Sequence, residues 1–154
     1  MALQLEIPGR GSFELEVLLL DVNGTLSDRG ELIEGVAAKL WRLRSAFEIC
    51  LLSADTFGTL DAIARVLDVA HRRVGGAAEK LEALETFGAD RSAAVGNGAN
   101  DVEMLAAAAL GIAVIGREGA SSAALLAADV VCRSVTDALD LLADPPALTA
   151  TLRR

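Results

Sequence analysis

The sequence is poor in aromatic residues: four phenylalanines, one tryptophan and no tyrosine make up 3% of its 154 residues. A core must therefore be filled by Leu, Ala, Val and Ile, and stacking platforms for single-stranded nucleic acid are in short supply. Positive charge is scarce too. Fourteen Lys and Arg stand against 22 Asp and Glu, a net charge of -8, which argues against a nucleic-acid partner. Small phosphorylated ligands stay allowed, because a local site can oppose the global charge. The two cysteines, Cys50 and Cys132, lie in separate apolar runs. They form neither a metal knuckle nor a disulfide framework, so a reducing compartment is expected. No apolar run reaches about 18 residues, so no membrane span is expected. The opening MALQLEIPGRG lacks a basic stretch followed by an apolar core, which argues against a signal peptide. The expected location is cytoplasmic.

What is present is 53% apolar and 23% charged residues, a globular composition. The chain is organised around Val17 to Leu26, VLLLDVNGTL. An apolar run ends in Asp21 and is followed by an Asn-Gly turn, which favours a strand presenting Asp21 at its carboxyl tip. The same stretch fits an Asx-turn in which Asp21 caps its own loop. Upstream, Leu3 to Ile7 and Phe13 to Leu20 read as a β-hairpin whose second arm continues into this strand. Ser27 to Glu31 reads as a polar linker. Helices are expected over 34–45, from Ala54-Asp55-Thr56 through Leu67, over 77–87, from Asn100-Asp101, from Ser121-Ser122, and over 135–142. Strands are expected over 47–52, 71–74, 92–95, 111–115 and 130–132. Pro145-Pro146 should stop the last helix, leaving 148–154 as a short tail that packs as a final helical turn or frays. This alternation with short connections is that of an α/β domain with a mostly parallel sheet and helices on both faces. The expected organisation is a single domain over 1–154: hairpin about 1–15, core about 16–142 and tail 143–154.

Three strand ends carry polar residues that break apolar patterns: Asp21, Ser53 and Asn97. Lys80 lies near the start of a helix, and Asp101 follows Asn97 by four residues. Converging strand ends are where open α/β sheets build their clefts. Each residue also has an ordinary reading. Lys80 fits a solvated helix surface, Ser53 and Asp55 fit helix caps, and Asn97 and Asn100 fit turns. His71, beside Arg72 and Arg73, reads as surface or edge strand.

Taken in order, Asp21-Val-Asn-Gly-Thr25-Leu, Leu52-Ser53-Ala54-Asp55, Lys80 and Gly96-Asn-Gly-Ala-Asn100-Asp101 resemble the four motifs of the haloacid dehalogenase-like hydrolase superfamily. The stretches GIAVIGREGAS and LLAADVV resemble its small soluble branch related to the phosphorylation domain of P-type ATPases. The resemblance covers about residues 15–142. It implies a Rossmann-like three-layer α/β/α core. It makes Asp21 the nucleophile that becomes an aspartyl-phosphate. Ser53 becomes the hydroxyl that binds a transferring oxygen, and Lys80 the cation that offsets charge. Gly24, Thr25, Ser53, Ala54 and Lys80 would bind phosphate. The resemblance further implies Mg²⁺ on Asp21, the backbone carbonyl of Asn23, Asn97 and Asp101, with Asn100 in support.

Two positions depart from the family pattern. Asn23 stands where phosphatases of the family carry an aspartate that protonates the leaving group and then activates water, and an amide does neither. Asn97 stands where the family has a metal-site aspartate, so Mg²⁺ should be held more weakly. The leading expectation is a Mg²⁺-dependent phosphohydrolase acting on a small or activated phosphorylated molecule. The alternatives are a catalytically weak or inactive relative that binds phosphoryl ligands, and a phosphoryl-transfer protein with a long-lived aspartyl-phosphate. Ser27 to Gly35 and residues 56–79 are too short for a cap domain, so an open cleft is expected. A homo-oligomer could cover it, with the hairpin as a contact. Loops 27–31 and 117–119 are the candidates for substrate contact, and Asp55 is the first candidate for a substitute acid.

Overall fold

The computed structural model describes residues 2–154. Met1, expected at the start of the hairpin, lies outside them. β1 (Leu3–Ile7) and β2 (Gly11–Leu15) form the expected antiparallel hairpin. Its second arm does not run on into the central strand. At Glu16 the N–H donates to the Arg91 carbonyl (2.9 Å) and the carbonyl accepts from the Glu48 N–H (2.8 Å). Those bonds point to new neighbours, so β3 (Val17–Asp21) starts in a different sheet.

The expected linker after β3 holds a second small hairpin, β4 (Ser27–Asp28) and β5 (Glu31–Leu32). The chain continues through α1 (Val36–Leu43), β6 (Glu48–Ser53), α2 (Leu60–Leu67), β7 (Ala70–Arg73), α3 (Ala77–Phe87) and β8 (Ser92–Gly96). A 3₁₀ turn over Ala99–Asp101 leads into α4 (Val102–Ala107). β9 (Leu110–Val114), α5 (Ser122–Ala127), β10 (Val130–Cys132), α6 (Val135–Leu142) and α7 (Pro145–Leu152) complete it.

The main sheet has six strands in the order β10-β9-β8-β3-β6-β7, all parallel. β3 is central, and every one of its residues is buried. Leu18 and Leu20 pack into the cluster that contains α1, α2, α6, α7 and the hairpin. Val17 and Leu19 pack into the cluster on the other face, with α3, α4 and α5. Strands covered on both faces read as continuous apolar runs, which is why the core strands were visible in the sequence. The fold is the α/β core expected, with a parallel sheet and an N-terminal antiparallel hairpin.

Two expectations fail at helix starts. α2 begins at Leu60, not at residues 54–56. Asp55 still caps it from a distance, its Oδ1 accepting the Leu60 N–H at 2.9 Å. Pro145-Pro146 does not end the structure but opens α7, where the missing N–H groups cost nothing in the first turn. Asp144 caps that helix by accepting the Ala147 N–H at 3.2 Å. Leu148 and Leu152 are buried in the core, so of the two readings of the tail the packed helical one holds.

Candidate active site

The strand ends place the chemistry. Asp21 ends β3, and its register partner on β6 is Leu52, so Ser53 stands one residue beyond it on the neighbouring strand. On the other side β8 ends at Gly96, and Asn97 follows. Lys80 comes up from α3. The chain's periodicity explains this: Lys80, Ala83 and Leu84 form the buried stripe of that helix. Lys80 is 1% exposed. Its Nζ donates to Asp21 Oδ1 at 2.7 Å and to Asp101 Oδ1 at 2.6 Å. The structure thus brings together residues 21, 80 and 101, and rejects the solvated reading of Lys80.

Burial pushes the Asp21 carboxyl up to about 6 and the Asp101 charge adds to this, against the opposing pull of Lys80 and Thr25. Burial alone would lower Lys80, but the two carboxylates outweigh it and hold its pKa above the ordinary value. The ammonium therefore stays charged, and two carboxylates around one cation leave the buried group one negative charge in excess once Asp21 ionises.

Asp101, expected at the metal site, bonds to Lys80 and to the turn after β8. Its Oδ1 is taken by Lys80, and its Oδ2 accepts the N–H groups of Asn97 and Gly98, both at 3.0 Å. It fits there because Gly96 has no side chain: a Cβ at Gly96 would lie 2.5 Å from the Asp101 carboxyl carbon. With at least one hydrogen bond on each oxygen, Asp101 positions Lys80 and the turn after β8.

Thr25 Oγ1 lies 3.0 Å from Asp21 Oδ2 and 3.3 Å from Asn97 Oδ1, so its one proton is shared between them. The Asn97 amide donates to the Gly119 carbonyl at 3.2 Å, which turns its oxygen toward Thr25. Asn23 is half-buried beside them. Gly24 lies at φ +78, and a Cβ there would collide with the Glu118 carboxylate and sit 2.8 Å from Asn97 Nδ2. Ser53 accepts the Asp55 N–H at 2.9 Å, which leaves its own proton free to donate. Ala54 and Asn100 are exposed next to the site.

Asp55 does not serve as a substitute acid. The Leu60 N–H and the Arg73 guanidinium, 2.7 Å away, hold its carboxyl below the usual range. His71 pairs with Asp61 at 2.7 Å on the edge strand, away from the strand ends. Glu118 was named in the sequence only as part of a loop. Its approach to Gly24 depends on how that loop folds back, which no spacing shows.

Among the described residues, no three His, Cys, Asp or Glu side chains group as a metal cluster. The groups that could hold a cation there are all oxygen donors, however: the Asp21 carboxylate and Asn97 Oδ1, both on Thr25 Oγ1, with the backbone carbonyl of Asn23 two residues along the chain from Asp21. Mg²⁺ takes oxygen ligands and keeps several waters, so this set fits it. Thr25 and loops 27–31 and 116–117 also border a cleft of about 450 Å³ lined by Asp28, Leu32, Ile33, Arg117 and Arg133. Arg117 reaches Asp28 across it at 3.0 Å. A depression of about 560 Å³ lies at the opposite end of the strands, where they begin, among Glu14, Glu48 and Arg91, and carries none of these groups.

Fold and site together define an α/β protein with a carboxylate–lysine–carboxylate core at its strand ends. A profile of haloacid dehalogenase-like hydrolases matches residues 68–139. An uncharacterized protein of Methanocaldococcus jannaschii is 52% identical over 60 residues, 39% of this chain and 64% of its own length. A second from the same organism is 48% identical over 40 residues, 26% of this chain and 91% of its own. The cobalt-bound deoxy-D-mannose-octulosonate 8-phosphate phosphatase of Haemophilus influenzae superposes with a TM-score of 0.70, 15% identity and coverage of 91% and 94%. The 3-deoxy-D-manno-octulosonate 8-phosphate phosphatase of Moraxella catarrhalis, bound to magnesium, phosphate and KDO, gives 0.68, 18%, 90% and 94%. A zinc-transporting PIB-type ATPase in its E2.Pi state gives 0.64 and 24%, covering 77% of this chain and 20% of that one. Over residues 68–139 the chain is thus similar to haloacid dehalogenase-like hydrolases, and it shares the fold of these solved structures. Among the described residues no helix is long and apolar enough to cross a membrane.

Proposed function

We propose that the protein is a Mg²⁺-dependent phosphohydrolase in which Asp21 takes the phosphoryl group from a small, activated phosphorylated molecule. The observation that carries this reading is Lys80, buried and bonded to both Asp21 and Asp101. A buried ammonium fixed on one oxygen of a carboxylate orients the group and leaves the other oxygen to attack, which supports Asp21 as the acceptor of a phosphoryl group.

Lys80 would hold Asp21 in orientation and offset charge on the phosphoryl oxygens as it transfers. Ser53 would donate its free proton to one of those oxygens, and Thr25 would steady the Asp21 carboxylate. Gly24 lets the chain pass close to the phosphoryl group without a side chain. Mg²⁺ on Asp21, the Asn23 carbonyl and Asn97 would screen the repulsion between the two anions. The cleft of about 450 Å³ beside Thr25 is sized for a small leaving group.

Asn23 sets the substrate range. No proton can come from its side chain, and general acid catalysis is typically worth ~10²–10⁴-fold. Asp55, the acid nearest Ser53 in sequence, is ion-paired with Arg73, and its carboxyl lies below the usual range. Acyl and aryl phosphates, whose leaving groups need little protonation, should therefore be the better substrates, and the aspartyl-phosphate should be long-lived. This last property also favours a second reading, a phosphoryl-transfer protein that passes the group on.

The test is incubation with acetyl phosphate and Mg²⁺, followed by intact mass and mapping of any phosphoryl adduct. An adduct on Asp21 that turns over supports the hydrolase, and one that persists until an acceptor is added supports the transfer protein. Absence of an adduct, with phosphate binding retained, would leave an inactive binding relative. Asn23→Asp should help an alkyl ester more than an aryl ester and shorten the adduct's lifetime. Wild type turning over alkyl monoesters as fast as aryl esters would refute the account of Asn23.

A further inference from the structure

The cation site is one carboxylate short. Asn97 contributes a neutral amide oxygen, and Asp101 spends both of its oxygens on Lys80 and two backbone N–H groups. Only Asp21 brings a negative charge to the space around Gly24. A second carboxylate nevertheless faces that space. Glu118, in the loop between β9 and α5, lays its side chain against Gly24 so closely that a Cβ there would strike its Oε2. The same Cβ would lie 3.2 Å from Asn97 Oδ1. Glu118 and Asn97 thus converge on one point above the nucleophile loop.

The loop is fastened there. The Ser121 N–H donates to the Asn97 carbonyl at 2.8 Å, and Asn97 Nδ2 donates to the Gly119 carbonyl at 3.2 Å. Glu118 is exposed and makes no hydrogen bond or ion pair among the described residues. The adjacent Arg117 is turned away to Asp28. The carboxylate is therefore free to meet a cation, directly or through a retained water. The local bonds also explain why asparagine suits position 97. An aspartate there would lose the donor to Gly119 and set a second negative charge beside Glu118.

We propose that Glu118 is the second acidic group of the divalent-cation site and supplies from the β9–α5 loop the charge that Asn97 lacks. The inference rests on the reading of Asp21 as part of a cation site. The experiment measures Mn²⁺ binding to the metal-free protein by electron paramagnetic resonance of the unbound ion, with Mg²⁺ competition, so no substrate or turnover is involved. Glu118→Gln should weaken Mn²⁺ binding by about tenfold, as removal of groups supporting a metal site does, while Glu103→Gln on α4 should stay within about twofold. Adding Asn97→Asp to Glu118→Gln should restore binding to within about threefold of wild type. Glu118→Gln binding like wild type, or no recovery in the double variant, would overturn the proposal alone. Wild type binding no Mn²⁺ at millimolar concentration would overturn the cation reading of Asp21 as well.

Discussion

Replacing the buried carboxylate at the end of β3, Asp21→Asn, should stabilise the folded protein by an amount that depends on pH. In the fold the Asp21 carboxyl is pushed from 3.8 up to about 6, chiefly by burial and next by the Asp101 charge. A displacement of roughly two pH units corresponds to about 3 kcal/mol by which the fold disfavours the ionised form. Asparagine matches the protonated carboxyl in shape, keeps a carbonyl for Lys80, and carries no charge. Between 3.8 and about 6 the native state binds more protons than the unfolded chain, so this residue makes wild-type stability fall as pH rises through that window. The variant suffers no such loss from this residue, and Lys80, held above its ordinary value, stays charged in wild type across that window. The difference should be near zero at about pH 3.5 and grow to about 3 kcal/mol in favour of the variant by about pH 7. Urea denaturation of both proteins in a chelator, across that range, measures it. Added Mg²⁺ should then raise the stability of wild type and leave the variant unmoved. A variant no more stable than wild type at neutral pH, or a gap that does not change with pH, would refute the reasoning.

Lys80→Met should cost about 3–5 kcal/mol, because it leaves Asp21 and Asp101 buried without their cation; unchanged denaturation at neutral pH would show that the ion pairs contribute nothing. Gly24→Ala should abolish labelling of Asp21 while circular dichroism shows a retained fold, since the left-handed backbone costs about 1–2 kcal/mol and the new Cβ meets Glu118; normal labelling would mean the loop has room. Leu148→Ala should cost about 2–5 kcal/mol in thermal or chemical denaturation, and a loss of only a few tenths would return α7 to the status of a frayed tail.

The core strands were legible because β3, β6, β8 and β9 are buried on both faces and show it as apolar runs. The motif order predicted which strand ends would meet. Lys80 carried a signal that was not used: it falls in the buried stripe with Ala83 and Leu84, where a solvated lysine does not belong. Asp144-Pro-Pro was read as a stop, although an acidic cap followed by proline is equally a helix start. The commitment of Asp101 to backbone donors was hidden, because it depends on a tight 3₁₀ turn and on the bare face of Gly96. Glu118 was hidden for a similar reason, since only the folded-back loop brings it to Gly24.

The bond from Lys80 to Asp21 spans 59 residues, and the bond from Lys80 to Asp101 spans 21 more. These three side chains can meet only after β3, α3 and the turn beyond β8 have all docked, and closures over such distances come slowly. A chain that has merely collapsed holds Asp21 as an ordinary solvated carboxylate with no lysine to aim it. On the proposed role of Asp21, its covalent labelling would work as a clock for refolding: an acyl phosphate pulsed at successive times would count only the molecules in which the far parts of the chain have already found one another.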